Sequence, residues 1–185
     1  TDEVKKDIGL NKNISVTYGA IDVSAAALGT GAIHYNDICV ILGTTCANEI
    51  IISKNNCNFG EANTRFIRHP LRDLYIYLNP TMNGTPNFDW AIENISITKD
   101  YKEIDALIEK EPVGSRGVIY HPYLSVAGER APFYHPYARA SFFGISQPVK
   151  RETLLRAVIE GITFSIKDCL ANIEKDSKIF LAGGG

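Results

Sequence analysis

The sequence lacks the features that mark several classes of protein. No apolar run approaches the roughly 20 residues that a membrane-spanning helix needs, and the first ten residues, TDEVKKDIGL, are charged and have no apolar centre like that of a secretory signal. The formal net charge is only −2 over 185 residues, which offers no electrostatic attraction to nucleic acid or to an anionic membrane. We therefore predict a soluble, cytoplasmic protein that binds neither nucleic acid nor membrane.

The usual cysteine motifs are also missing. The four cysteines, Cys39, Cys46, Cys57 and Cys169, form no C-x-x-C pair, and no histidine stands at zinc-ligand spacing from them. This pattern favours reduced, partly buried thiols over a disulfide framework, and no residue is assigned as a metal ligand.

What is present is the pattern of a globular α/β protein, in which 45% of the residues are hydrophobic. Strand-like segments come first, helices follow, and a long amphipathic helix leads into a last strand. This order predicts an α/β layered domain over residues 1–185 rather than a helix bundle or a β-sandwich. Because the chain stops at a strand entering a glycine turn, we expect it to be a fragment of a longer protein. The predicted strands are 14–21, 38–42, 47–53, 74–79, part of 116–126 and IFLAG, and the predicted helices are 22–28, 87–95, 100–111 and 150–175.

Two glycine turns are candidate phosphate sites. In LGTT, Gly43 lets the backbone approach a ligand, and Thr44 and Thr45 add hydroxyl donors. In LAGGG, which ends the chain, three glycines follow a strand and suit close approach to a flat or phosphorylated ligand. Taken alone, each turn is more often structural, as a hairpin turn or as a flexible connection.

Asp22 is the one acid in the run YGAIDVSAAALGTG, and it has two interpretations. It follows a predicted strand and begins a short predicted helix that Gly29 and Gly31 break. The carboxylate could cap this helix by accepting N–H bonds at Ser24 or Ala25. Alternatively, it lies at the carboxyl end of a strand, where α/β folds place ligands, and could accept a proton from a substrate hydroxyl.

The segment PYLSVAGERAPFYHPYARASFFGIS is an aromatic, charged loop ahead of the long helix. It could be a binding surface, but such a loop is more often a packed crossover in which Glu129 and Arg130 pair with neighbours. His121 and His135 each precede proline and have no nucleophile at a suggestive spacing, which disfavours catalysis by either.

Taken in order, four blocks of the whole chain resemble the C-terminal half of the FGGY carbohydrate kinases, which include xylulose, ribulose and glycerol kinases. The blocks are YGAIDVSAAALGTGAI, DICVILGTTCANEI, the GERAPF loop with the helix LLRAVIEGITFSI, and IFLAGGG. The resemblance implies an actin-like, ribonuclease-H-like ATPase fold of two similar domains, with ATP and sugar bound in the cleft between them. It also implies that the first domain, with much of the sugar site and the main magnesium carboxylate, lies outside this chain.

The resemblance implies a role for several residues by their place in these blocks. Asp22 matches the catalytic base that deprotonates the sugar hydroxyl. Gly43, Thr44 and Thr45 match the hairpin that contacts the ATP phosphates. Gly184 and Gly185 match the adenosine-side turn, and Gly183 adjoins it. A fainter match in NGTPNFDW places Gly84 or Thr85 near the nucleotide.

The implied activity is ATP- and Mg²⁺-dependent phosphorylation of a ketose or polyol, most simply a pentulose, and the candidate assembly is a homodimer. The alternatives are a non-catalytic, kinase-like domain that binds nucleotide or a partner, and a sugar-binding domain in which Asp22 is only a helix cap. Two departures from the family pattern narrow the assignment. The loop before GER is two residues longer than usual, as in the L-xylulose and 3-keto-L-gulonate kinase branch, and Thr153 replaces a larger polar or charged residue.

Overall fold

A computed structural model describes residues 2–10, 14, 19–57, 65–170 and 176–184. Within these residues no helix is long and apolar enough to cross a membrane. The described elements, in chain order, are α1 (Asp2–Asp7), α2 (Asp22–Thr30), β1 (Ile38–Leu42), β2 (Cys46–Ser53), β3 (Phe66–Arg68), β4 (Leu74–Thr81), α3 (Pro86–Asn94), α4 (Tyr101–Glu109), β5 (Ile119–His121), β6 (Ser141–Phe143), α5 (Arg151–Cys169) and β7 (Ile179–Gly183), with single 3₁₀ turns at Lys54–Asn56 and Ser115–Gly117.

A five-stranded mixed sheet with the order β3-β4-β2-β1-β7 forms the centre of the fold. β1 pairs antiparallel with β2 and parallel with β7, so that Leu42 and Gly183 are register partners. The carboxyl ends of β1 and β7 therefore lie side by side at one edge of the sheet. The turn between β1 and β2 lies at the same edge, which is where α/β folds commonly place ligands.

The side chains of β1 alternate between the two faces of the sheet, as the pleat of a strand requires. Cys39 joins a buried cluster with Ala27 of α2 and with Ile51 and Ile76 of the neighbouring strands. The next residue, Val40, packs in a different cluster on the side of α5. One face of the sheet is thus covered by α2 and the other by α5.

A second, larger core joins α3, α4 and α5 to the small β5–β6 hairpin. Ile104 of α4 and Leu155 and Val158 of α5 are among its fully buried members. α4 begins at a side-chain cap, because the carboxylate of Asp100 accepts a hydrogen bond from the Lys102 N–H at 2.8 Å. This layer of helices holds α3 with its N-terminus toward the carboxyl ends of β1 and β7, which we call the ligand edge of the sheet.

Most of the predicted elements agree with the structure, and the disagreements are local. The strand predicted at 14–21 is wrong where it can be compared, because Ile14 and residues 19–21 have no regular structure, while residues 15–18 lie outside the described residues. The helix that begins at Asp22 continues through Gly29 and ends where Gly31 adopts a left-handed conformation. In the segment 116–126 only three residues, those of β5, form a strand. α5 ends at Cys169, and residues 171–175 of its predicted range lie outside the described residues.

Candidate functional site

Three glycine-bearing segments meet at the ligand edge of the sheet. A Cβ atom on Gly84 would collide with the carbonyl oxygens of Gly43 and Thr44, and the Thr85 N–H donates to the Gly43 oxygen at 2.8 Å. Gly183, with a φ of +107°, lies so close to the Leu42 carbonyl that a Cβ atom would collide there too. The structure therefore brings the LGTT turn, the Gly84–Thr85 segment and the start of the LAGGG turn into direct contact.

The LGTT turn presents unused hydrogen-bond donors. Gly43 closes the hairpin by donating to the Thr45 oxygen at 3.0 Å. The backbone N–H groups and the hydroxyls of Thr44 and Thr45 donate no hydrogen bond to any described residue, and Thr44 is exposed. Free N–H groups that follow one another in a turn favour the binding of an anion such as a phosphate group.

The N-terminus of α3 adds to this positive character. Pro86 is the first residue of the helix, and Thr85 precedes it while bonded to the LGTT turn. A helix N-terminus carries partial positive charge from its unpaired N–H groups. The helix end and the free amides of the turn thus favour negative charge at the same place.

The glycines of the LAGGG segment lie exposed beside the LGTT turn. Gly183 and Gly184 are exposed, and no atom of the described residues lies within 4 Å of a Cβ position at Gly184. Gly185, the third glycine predicted to contact the nucleotide, lies outside the described residues.

An apolar cavity of about 230 Å³ adjoins the turn, between α3 and α5. Leu42 and Thr85 form its wall toward the glycine turns, and Phe88, Ile162 and Ile166 form its apolar sides. A cavity of this size and lining suits a flat, largely apolar ring.

Asp22 does not belong to the segments that form the glycine turns. It is the exposed first residue of α2, and its Oδ1 accepts a hydrogen bond from the Val23 N–H at 2.8 Å. The helix cap predicted at Ser24 or Ala25 is therefore wrong, because the carboxylate accepts from the adjacent Val23 amide and the Ala25 N–H donates to the Ile21 oxygen at 2.9 Å. No hydrogen bond joins Asp22 to the glycine turns among the described residues.

A second carboxyl group, Glu49, lies beneath α2 and was missed by the sequence reasoning. Its side chain is fully buried on β2, and neither carboxyl oxygen has a hydrogen-bond partner of regular geometry. Burial raises the pKa of Glu49 to about 8, the nearby Cys39 thiol opposes the rise, and the negative charge of Asp22 adds to it. Glu49 is consequently protonated at neutral pH, and Asp22 is close enough for its charge to act on the Glu49 carboxyl.

The GERAPF loop is a packed crossover, as one of its two interpretations predicts. Glu129 is buried, and its Oε1 accepts hydrogen bonds from the N–H groups of Met82, Arg130 and Ala131. The guanidinium of Arg130 donates to the Pro80 oxygen at 2.9 Å. Both charged residues of the motif therefore bind the end of β4 and the residues that follow it.

The remaining candidate residues make structural contacts. The His121 ring contacts that of Phe143 in a tilted arrangement with centroids 4.8 Å apart, and the backbone of His135 pairs with that of Glu129. Thr153, the departure from the family pattern, is buried and donates to the Glu111 carboxylate at 3.0 Å. The shorter side chain thus keeps a hydrogen bond near the start of α5.

The cysteines and acids give no sign of a metal centre in the described part of the chain. All four cysteines are free, and three of them are buried. No group of three or more His, Cys, Asp or Glu side chains that could bind a metal ion occurs within residues 2–10, 14, 19–57, 65–170 and 176–184.

Comparison with known families decides the assignment. Residues 38–185 match the family model described as "FGGY family of carbohydrate kinases, C-terminal domain". This chain belongs to the FGGY family of carbohydrate kinases. The match begins with β1 and includes the LGTT turn, Gly84, the GERAPF loop and the closing glycines, whereas Asp22 precedes it.

Curated FGGY relatives extend the similarity to the whole chain. The xylulose kinase of Staphylococcus epidermidis is 29% identical over 189 residues, which cover 100% of this chain and 38% of that protein. The gluconokinase of Bacillus subtilis is 29% identical over 175 residues, covering 89% of this chain and 33% of that protein. The chain thus spans only 33–38% of the length of these two relatives.

Solved structures agree with the FGGY assignment. The ligand-bound xylulose kinase of Lactobacillus acidophilus superimposes with a TM-score of 0.80 at 28% identity, covering 98% of this chain and 37% of that one. A gluconate kinase of the same organism gives a TM-score of 0.80 at 28% identity, covering 100% of this chain and 38% of that one. The fold is therefore the mixed α/β, actin-like fold of FGGY kinases, and the α/β class predicted from the sequence is confirmed.

Proposed function

We propose that this chain is the nucleotide-binding part of an ATP-dependent carbohydrate kinase. The reaction transfers the γ-phosphoryl group of ATP to a hydroxyl of a ketose or polyol, and a pentulose is the first substrate to test. The observation that carries the proposal is the contact of three glycine segments at one edge of the sheet, with free amides and a helix N-terminus beside them. The xylulose kinases among the relatives support the choice of substrate class.

The LGTT turn is proposed to bind the ATP phosphates. The free N–H groups and hydroxyls of Thr44 and Thr45 can donate to phosphate oxygens without breaking any bond of the fold. Because these donors are part of a hairpin that Gly84 buttresses, they are positioned before the ligand arrives. Positioning and charge stabilisation are the main sources of catalysis in phosphoryl transfer.

The adenine ring is proposed to lie in or at the mouth of the apolar cavity between α3 and α5. The cavity shares Leu42 and Thr85 with the surroundings of the phosphate turn, so one nucleotide can reach both. Gly183 and Gly184 are exposed and carry no side chain, so the ribose that joins the adenine to the phosphates can pass beside their backbone.

Asp22 is proposed to be the general base that accepts the proton of the sugar hydroxyl. Three observations support this role: the carboxylate is exposed, it forms no ion pair among the described residues, and the Val23 amide orients it. A general base placed in this way contributes about 10²–10⁴-fold to a rate.

We further propose that activity requires the longer protein to which the relatives correspond, because this chain covers 38% of their length. The described residues offer no acidic cluster for Mg²⁺, so we assign no residue of this chain to the metal. ATP and a sugar are the proposed small-molecule partners.

The proposal is tested by incubating the full-length protein that carries this chain with ATP and a panel of ketopentoses, polyols, aldonates and glycerol. Sugar-dependent release of ADP, together with a phosphorylated sugar detected by mass spectrometry, is the expected result. Nucleotide binding without transfer to any acceptor would instead favour the non-catalytic, kinase-like alternative. Absence of nucleotide binding by calorimetry would contradict both.

A further inference from the structure

The glutamate of the GERAPF loop occupies a position that the proposed chemistry does not itself explain. Glu129 is 1% exposed, and a buried carboxylate requires compensating hydrogen bonds. Its Oε1 receives three backbone N–H groups, from Met82 at 2.9 Å, Arg130 at 2.7 Å and Ala131 at 3.2 Å. Two of these donors are local to the loop, but Met82 is 47 residues away in the sequence.

The bond to Met82 fixes a short segment that leads to the glycine turns. We call residues 80–85, the last two residues of β4 and the four that lead to α3, the β4–α3 connection. Arg130 binds its first residue, Pro80, through the carbonyl oxygen, and Glu129 binds Met82 through the amide. Two neighbouring side chains of the GERAPF loop therefore hydrogen-bond to the backbone of this connection.

The other end of the β4–α3 connection packs against the backbone of the LGTT turn. Asn83 is buried and donates to the Ser165 hydroxyl at 2.8 Å, and Gly84 packs on Gly43 with no room for a Cβ atom. Thr85 then donates to the Gly43 oxygen at 2.8 Å. A displacement of Met82 would be transmitted over two residues to the backbone of the LGTT turn.

The loop is itself built to keep Glu129 in place. Glu129 and His135 exchange backbone hydrogen bonds of 3.0 and 2.9 Å. Gly128, with a φ of +74°, lies against the backbone of His135 and Pro136, where a Cβ atom would collide. The carboxylate therefore projects from a closed, rigid loop.

We propose that Glu129 is a positioning residue for nucleotide binding. It fixes the position of the β4–α3 connection, and this connection in turn fixes the backbone of the LGTT turn. This inference rests on the proposed function for its kinetic consequence, but its structural consequence is independent of any activity. Hydrogen bonds in which the acceptor is a carboxylate are roughly twice as strong as neutral ones. Replacing Glu129 by glutamine therefore weakens the hydrogen bond from the Met82 N–H while keeping the size of the side chain.

A matched control exists in Glu160 of α5. This carboxylate also organises a loop, because it accepts bonds from the Gly114 amide and the Ser115 hydroxyl and from Arg156 on its own helix. None of these bonds reaches the glycine turns. Loss of general rigidity would affect both variants alike, whereas loss of positioning would affect only Glu129→Gln.

The test compares Glu129→Gln and Glu160→Gln in the full-length protein by two readouts. In hydrogen-exchange mass spectrometry, peptides that contain the Thr85 amide should exchange faster in Glu129→Gln than in the wild type and unchanged in Glu160→Gln. In binding and kinetic assays, Glu129→Gln should raise the Kd and KM for ATP by about tenfold, equivalent to about 1.4 kcal/mol, and leave the KM for the sugar within about twofold.

The two readouts separate failure of this inference from failure of the proposed function. Faster exchange at Thr85 in a protein without kinase activity would support the positioning role and contradict the proposed function. Unchanged exchange at Thr85, or equal changes in both variants, would overturn the positioning role whatever the activity.

Should Glu129→Gln fail to fold, Arg130→Gln replaces it, because Arg130 is exposed and its bond to Pro80 acts on the same connection. A smaller shift in the same direction is then expected, and no shift would overturn the inference.

Discussion

Replacing Glu49 by glutamine should make the protein more stable at alkaline pH and leave its stability at acid pH nearly unchanged. Glu49 is fully buried between Cys39 of β1 and Leu78 of β4 in the sheet register, and its oxygens lack regular hydrogen bonds. A carboxyl group in such a site remains protonated when it would ionise in water. Its pKa of about 8 in the folded protein compares with about 4.5 in the unfolded chain.

The sign and size of the effect follow from these two pKa values. Below about pH 4.5 the carboxyl is protonated in both states and contributes no pH dependence. Between about 4.5 and about 8 the unfolded chain releases a proton that the folded protein keeps, so stability falls as the pH rises. At about 1.4 kcal/mol for each pH unit, the accumulated loss is roughly 5 kcal/mol, and it stops growing above about pH 8.

The assay is urea unfolding of the wild type and Glu49→Gln at several values between about pH 5 and about pH 8. The amide has the same size and no charge, so the variant should match the wild type at the acid end and exceed it by several kcal/mol at the alkaline end. His69 contributes an opposite slope below its usual pKa, because burial lowers the pKa of its imidazole. The difference between the variant and the wild type isolates Glu49 from this background.

Glu160→Gln is again the matched control. Burial acts to raise the pKa of Glu160, but hydrogen bonds from Ser115, Gly114 and Arg156 outweigh it and lower the pKa below its usual range. Glu160 is therefore ionised in both states over the whole pH range of the assay, and its variant should lose a constant amount of stability. A Glu49→Gln variant with the same pH slope as the wild type would show that Glu49 does not keep its proton in the folded protein.

Two further substitutions test the nucleotide site in the full-length protein. Gly84→Ala should weaken ATP binding by at least about tenfold and cost about 1–3 kcal/mol of stability, because the new Cβ atom meets the backbone of Gly43. Gly29→Ala in α2 is its control, since open space surrounds Gly29, and it should bind ATP normally in the same titration. Thr163→Phe, at the exposed rim of the apolar cavity, should compete with the adenine ring and raise the Kd for ATP while the KM for the sugar stays constant. Unchanged ATP affinity in Thr163→Phe would exclude the cavity as the adenine site.

Local sequence patterns predicted the elements that are set by local chemistry. The arms of the central hairpin, 38–42 and 47–53, match β1 and β2 to within one residue, because β-branched residues flank a turn that contains Gly43. α4 begins where Asp100 caps it, as such a residue before a helical pattern indicates. By contrast, β3 and β6 are three residues long, too short for any periodicity, and depend on their partner strands.

The candidate site was predictable as a set of motifs but not as a set of contacts. The turn at Gly43 and the weaker match at Gly84 were singled out separately, and only the fold shows that they touch. Glu49 follows polar Asn48 in a strand-like run, and a glutamate is usually exposed to solvent, but α2 covers this face of the sheet. The bond from Met82 to Glu129 spans 47 residues, a distance over which sequence spacing carries no information about contact.

The most direct test of the proposed mechanism is the turnover of Asp22→Asn in the full-length protein, measured as sugar-dependent ADP release beside calorimetric ATP binding. We expect the wild type to phosphorylate a ketose or polyol. The variant should bind ATP within about twofold of the wild type and turn over about 10²–10⁴-fold more slowly, because it lacks the base. Near-normal turnover in Asp22→Asn would contradict the assignment of the base, and a wild type that releases no ADP with any sugar would contradict the proposed function itself.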